Sequence, residues 1–426
     1  MKKDQNMFNL NVQNKFDIRH KIMVNSRIDE KECVADLIKH ISLNEQQNSD
    51  AVNLAFKLIS DIRKTRINGI GADSLMQQFK LSTDEGIALM CLAESLLRIP
   101  DPATQNKLIR DKINKKNWLE YTKTDNLFVN AASWGLLISG ELTGNHDINN
   151  LSGTLLKVLA TGGEPLIRMA MIAVVRVLGD QFVMGETIDQ ALIKAIERKS
   201  SGYKFSYDML GEAALTDDDS MRYMQNYVTA IHAVGAASNG RGVHNGPGIS
   251  VKLSAIHPRY QQAQQDRVVS ELYPRLKHLY LLAKQYQIGL FIDAEEADRL
   301  DISLDLLEML TGDQDLAGFA GIGFVIQAYQ KRAFYVIDYI VDLAKLNNQR
   351  IMIRLVKGAY WDSEIKKSQV DGQVDYQVFT RKFYTDLSYI ACAEKLLNYQ
   401  EQIYPLFATH NAYTLALIYQ IAQGKE

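Results

Sequence analysis

Prolines, cysteines and long apolar runs are all scarce in this chain of 426 residues. Only seven prolines occur and none precedes Pro100, so the first quarter is expected to be mostly helical. Three cysteines, Cys33, Cys91 and Cys392, lie far apart in apolar-periodic segments. No two have metal or redox spacing, which excludes a disulfide framework and fits a reduced, cytoplasmic protein with cysteines packed as small hydrophobes. The start, Met1-Lys2-Lys3-Asp4, leads into no apolar stretch, and no signal peptide is expected. The most apolar stretch, Leu166 to Leu178, is broken by Arg168 and Arg176 and is too short to span a bilayer. An excess of one charge is missing too. With 48 Lys and Arg against 50 Asp and Glu, bulk electrostatics do not ask for a polyanionic partner.

What is present is ordinary globular material, 46% hydrophobic and 23% charged, long enough for about two to three domains. Residues 1–28 read as a tail and residues 29–198 as an all-helical arm. Val34, Leu37, Ile38 and Ile41 fall on one helical face, with Ser26 and Asp29 offering a capping-box start. Val52, Phe56 and Ile59 repeat the pattern. Ser82 to Glu85 caps an apolar helix through Leu97, and Pro165 sits in the first turn of another. The basic cluster Arg110 to Lys116 reads as a solvated face.

From 203 to 426 short β-rich runs alternate with amphipathic helices. The runs are Phe205–Leu210, Ile249–Ser254, Gly289–Asp293, Gly323–Gln327, Ile351–Val356 and Leu406–Thr409. Such alternation predicts a parallel sheet with right-handed crossovers, as in a doubly wound sheet or a (β/α)8 barrel. Polar residues separate the two. Nearly every run ends in one: Asp208 and Glu212, Lys252, Asp293, Gln327, Arg354 with Lys357, then Thr409-His410-Asn411. Chemistry spread over the C-terminal ends of several strands is the TIM-barrel arrangement. The glycine-rich piece Asn239 to Gly248 precedes a strand, so it reads as a helix-to-strand loop and not a phosphate cradle. The expected fold class is therefore α/β, a TIM-type barrel preceded by a helical arm. It is incomplete, with about six strand-helix units where closure takes about eight.

Lys252 at a strand end suits a substrate carboxylate, or a Schiff base if desolvated. The Asp293-Ala294-Glu295-Glu296 run lacks the further oxygen donors a hard cation requires. The histidines show no H-E-x-x-H spacing, and no metal is expected. Arg354 to Asp362 is the densest signal: two cations, a glycine that lets backbone approach a ligand, then Tyr360 and Trp361. That set suits a large anionic cofactor with an aromatic ring.

Taken together, Tyr207 to Glu212, Lys252 to Tyr260, Asp293 to Glu296, Gly323 to Arg332, Arg354 to Asp362 and Phe407 to Ala412 resemble the proline dehydrogenase family. The form resembled is the domain found in bifunctional bacterial proline utilization A flavoenzymes, and Leu89 to Glu94 and Gly163 to Arg168 belong to the same likeness. The resemblance implies FAD-dependent oxidation of L-proline to Δ1-pyrroline-5-carboxylate, with electrons passed to a quinone. It places Arg354 beside the flavin, Val325 and Gln327 against its ring, and Lys357, Gly358, Ala359, Trp361, Thr380, Lys382, Thr409, His410 and Asn411 along the rest of FAD. Lys252 would pair with the proline carboxylate, and Asp293 and Tyr360 would shape the pocket. Glu212 resembles the partner of an arginine that the family supplies from the closing part of the barrel. That part would lie past Glu426, so these residues alone are expected to turn over poorly.

Residues 1–25 are too short for the DNA-binding domain that some family members carry, and no nucleic-acid partner is expected. A homodimer through the helical arm and a cytoplasmic protein peripheral to the inner membrane complete the expectations. The alternatives are a Schiff-base aldolase and a non-catalytic piece that serves self-association.

Overall fold

A computed structural model describes residues 16–66, 99, 101–105, 107, 183–199 and 202–423. Cys91, the predicted helices over 82–97 and from Pro165, the Leu166–Leu178 stretch and the Arg110–Lys116 cluster lie outside the described residues. The chain divides into two compact units, residues 1–61 with 195–426, and residues 62–194.

The first unit holds a six-stranded parallel sheet in the order β1 (Ser206–Asp208), β2 (Gly248–Val251), β3 (Gly289–Ile292), β4 (Ile322–Gln327), β5 (Ile351–Val356) and β6 (Ile403–Phe407). Helices follow the strands as the alternation predicts. Asp217–Ser238 starts at a capping box between Thr216 and Asp219 and stops at Asn239 in the left-handed region. Ala333–Leu346, buried along most of its length, follows β4. β3 and β4 are buried along their whole length, as strands covered on both faces should be. Tyr280 ties helix to sheet by donating its buried hydroxyl to the carbonyls of Leu290 (3.0 Å) and Gly323 (3.2 Å).

The sheet is curled. Laid flat, β1 and β5 would stand about 19 Å apart at ~4.8 Å per strand, yet the Arg354 guanidinium of β5 donates to Ser206 Oγ of β1. The space enclosed is filled by Phe291, Val325 and Met352, with Val356, Tyr404 and Leu406 against them. This is the TIM-type architecture, with six of its strands among the described residues.

Four expectations change. β6 runs from Ile403, three residues before the predicted start, because Pro405 hides the run; the missing N–H is tolerated in a strand at the end of the sheet order. Trp361–Val370 forms a helix that the reading of this stretch as chemistry passed over. Asp29 alone caps Glu30–Ile38, accepting from the N–H groups of Lys31 (2.9 Å) and Glu32 (3.1 Å), whereas Ser26 bonds to Gln377. Finally, the buried faces of the first helices carry Cys33 with Leu37, and Ala51 with Ala55, while Ile38 and Phe56 are exposed.

Gly323 tests the packing of the interior. A Cβ there would lie 2.4 Å from the Phe291 ring. Gly323→Ala is expected to destabilise the protein by about 1–3 kcal/mol, measured as a lower urea midpoint with an unchanged slope.

Candidate active site

The strand ends converge on a cavity of about 610 Å³ at the C-terminal rim of the sheet. Its lining includes Lys252, Asp293, Val325, Gln327, Lys357, Gly358, Ala359, Tyr360, Lys382, Thr409, His410 and Asn411, all anticipated from the sequence. Asp208, Ala294, Val356 and Ala408 join them. The lining thus combines apolar and charged side chains.

Lys252, following β2, is the centre of the charged part. Its ammonium bonds to Asp293 at the end of β3 and lies 3.9 Å from Glu212. Burial works against its charge, but Asp293, Asp208 and Glu212 outweigh that and hold it above the usual lysine range. An ammonium kept protonated in this way is the opposite of what Schiff-base nucleophilicity requires. Asp208, which accepts from Ser250 Oγ at 3.2 Å, is raised above the ordinary aspartate range by burial, with Lys252 opposing.

Arg354 does not line the cavity. Its guanidinium carbon stands 4.4 Å over the Phe291 ring, and the bond to Ser206 holds the other end. Burial lowers its pKa, and Asp293 and Asp208 act in the opposite sense. Tyr360 donates its hydroxyl to Glu212 at 3.2 Å, joining the mouth of the cavity to the segment after β1 and to the Lys252 group.

The turn after β5 is built by its own neighbours. Gln327 donates to the Glu295 carbonyl (2.8 Å) and accepts from the Ala359 N–H (3.1 Å), so one amide clamps the loops after β3 and β5. Gly358 has φ +142°, and a Cβ on it would strike the Tyr329 ring at 2.3 Å. Tyr329, more than a ligand, demands the glycine. Lys357 bonds to Asp386 and to Thr414 Oγ1 (3.2 Å), and Lys382 reaches the same Asp386 at 3.0 Å. Against burial, these two lysines keep Asp386 below the usual carboxylate range. Asn411 caps Ala412–Ala422 by accepting from the Thr414 N–H, and its own N–H donates to Thr409 Oγ1.

Trp361 and Thr380 stand outside the lining. The Trp361 indole donates to the Phe379 carbonyl at 2.8 Å, and Thr380 bonds to Glu30. Glu212 also lies outside it and reaches the site only through Lys252 and Tyr360. Sequence reading missed Ser206, Asp386 and Glu30. Each acts through a partner distant in sequence, and no local spacing marks them.

Residues 191–426, more than half of the chain, match the family described as Proline dehydrogenase. The chain belongs to the proline dehydrogenase family. Residues 17–63 match the proline utilization A proline dehydrogenase N-terminal domain, and residues 71–182 the DNA-binding domain of proline dehydrogenase. The latter match runs against the expectation of no nucleic-acid partner, which rested on the balanced net charge and on the shortness of residues 1–25, and that expectation is withdrawn.

Among proline dehydrogenase relatives, the chain is 57% identical over 400 residues to the bifunctional protein PutA of Klebsiella aerogenes, covering 93% of this chain and 30% of that protein. It is 56% identical over 401 residues to that of Escherichia coli, with the same coverage. The chain therefore spans under a third of the length of these relatives. A Bradyrhizobium japonicum proline utilization A variant superposes with a TM-score of 0.68 at 42% identity, over 94% of this chain and 40% of that one.

The Gly358 turn yields a test. Gly358→Ala combines a φ few side chains adopt with a clash against Tyr329. It is expected to cost about 1–3 kcal/mol in stability, read by denaturant unfolding, and Tyr329→Ala in the same chain should recover part of the loss.

Proposed function

We propose that this chain carries the flavin- and substrate-binding part of an enzyme oxidising L-proline to Δ1-pyrroline-5-carboxylate, with FAD as cofactor. The observation that carries the reading is the pairing of Lys252 with Asp293 inside a rim cavity whose lining combines Val325 and Val356 with Lys357 and Lys382. The donor set fits a flavin dinucleotide. Apolar side chains suit a flat ring, and two lysines sharing one carboxylate suit a diphosphate, which would take over charge that Asp386 now balances. Gln327, Ala359, Thr409 and Asn411 offer polar groups around the remainder.

FAD, when bound, supplies an acceptor for the hydride that leaves proline C5, and a quinone at the inner-membrane surface receives the electrons. The chain's own residues do the rest. Lys252 binds the proline carboxylate by a charge-assisted hydrogen bond, competing with Asp293 for it. Asp293 and Asp208 leave negative charge close by for the ring ammonium of the same zwitterion. Tyr360, held by Glu212, closes the side of the pocket. Arg354 brings positive charge next to the flavin site from its seat over the Phe291 ring. A cytoplasmic protein that meets the membrane only to deliver electrons, and pairs through its helical arm, is part of the same reading.

Titrating the 426-residue chain with FAD is expected to quench flavin fluorescence with one site per chain. L-proline should then shift the visible spectrum of the bound flavin. Lys252→Met is expected to weaken that proline response by ~1.5–3 kcal/mol, roughly 10- to 100-fold. A chain that takes up no FAD, or a Lys252→Met variant with an unaltered proline response, would refute the reading.

A further inference from the structure

Two carboxylates line the rim cavity, Asp208 and Asp293. They differ in what their oxygens already do. Asp293 has both engaged: Oδ2 bonds to the Lys252 ammonium, and Oδ1 accepts from the Ala294 N–H at 3.1 Å. Its own N–H donates to the Val251 carbonyl at 2.9 Å, which ties it to β2 as well. Asp208 has one engaged. Its Oδ1 shares the single hydrogen of the buried Ser250 hydroxyl (3.2 Å) with the Tyr207 carbonyl (3.4 Å). Its Oδ2 has no hydrogen-bond partner among the described residues.

The sheet sets this oxygen beside Lys252. Asp208 ends β1 and stands next to Ser250 in the parallel register. Side chains two apart in extended backbone share a face, so Asp208, Ser250 and Lys252 lie on one side of the sheet. The charges acting on Asp208 are Lys252 after β2, Asp293 after β3 and Arg354 of β5, and the Tyr227 hydroxyl feels it in turn. Neither cation bonds to it. Lys252 is bonded to Asp293, and Arg354 is held by Ser206 and the Phe291 face. Partial burial keeps Asp208 above the ordinary aspartate range, and a ligand cation would supply countercharge.

An α-amino acid carries its carboxylate and its ammonium on one carbon. A site for it needs a cation and an anion side by side, each with a hydrogen-bond position left open. Lys252 has three donors and gives one to Asp293. Asp293 can meet an ammonium only by loosening a bond it already makes, whereas Asp208 has an oxygen to offer.

We propose that Asp208 is the specificity-determining residue for the substrate nitrogen, its Oδ2 accepting an N–H of the ring ammonium while Lys252 takes the carboxylate. This rests on the substrate reading given above and sharpens it, since one of the two carboxylates touches the nitrogen and the other holds Lys252. The site then selects a cyclic amino acid over a carboxylic acid of the same ring size.

The 426-residue chain loaded with FAD, titrated separately with L-proline and with cyclopentanecarboxylate, tests this through the visible spectrum of the bound flavin and through calorimetry. Cyclopentanecarboxylate keeps the ring size and the carboxylate but has CH2 in place of the nitrogen. The parent is expected to bind L-proline about tenfold more tightly or better. Asp208→Asn should bind L-proline about tenfold more weakly, and cyclopentanecarboxylate within about twofold of the parent. Asp293→Asn, which releases the Lys252 ammonium, should shift both ligands together. A parent with no preference for L-proline overturns the inference while the flavin reading stands, and that result needs no variant to fold. So does an unchanged proline affinity or an equal weakening of both ligands in Asp208→Asn, or a proline-only loss in Asp293→Asn. A parent chain that takes up no FAD, or no L-proline once loaded, overturns both.

Discussion

The charged rim of this barrel rests on one aromatic ring. Phe291 fills the interior between Val325 and Met352, in the room that Gly323 leaves, and the Arg354 guanidinium lies over its face. A guanidinium is the cation best able to sit there, because it is weakly hydrated and stacks on aromatic faces. The ring thus divides a dry interior, where parallel strands are covered on both faces, from a rim where every strand end carries a polar group. Moving the boundary by one side chain would bury charge below or expose apolar surface above.

Above that boundary, charge is balanced locally. Lys252 answers Asp293, Glu212 and Asp208; Lys357 and Lys382 share Asp386; Arg299 answers Glu295 and Glu296. Burying a lone charge is costly, whereas a paired and hydrogen-bonded one is tolerated. A zwitterionic substrate and an anionic cofactor enter such a site by exchanging partners, not by neutralising an excess. Selectivity then lies in which acid gives up its lysine.

Much of this was legible in the chain itself, for physical reasons that can be named. Continuous apolar runs such as Phe324-Val325-Ile326 announce doubly covered strands, and the alternation with helices leaves few topologies. Strand-end residues were legible because the fold makes strand ends converge; Lys252, Asp293, Lys357 and His410 needed no long-range knowledge. Pro405 concealed the start of β6, and Tyr360, which makes no side-chain cap bond, gave no sign that a helix begins after it. The first helices turned out to bury small residues, Ala51 and Ala55, where periodicity pointed to Phe56. What local pattern could not reveal were partners far along the chain: Ser206 for Arg354, Asp386 for Lys357, Glu30 for Thr380. Hydrogen bonds between such residues have no period to read.

The buried ammonium of Lys331 carries a consequence for how the chain is made. Its bond to the Ile28 carbonyl joins residues 303 positions apart. On a ribosome adding about 5–20 residues per second, the turn at Ile28 emerges roughly 15 to 60 s before the lysine that satisfies it. Through that interval the Glu30–Ile38 helix has its cap but neither Lys331 nor Thr380, and a nine-residue helix is marginal in isolation. The Glu30–Ile38 helix can complete its packing only after residues 331 and 380 have followed it out.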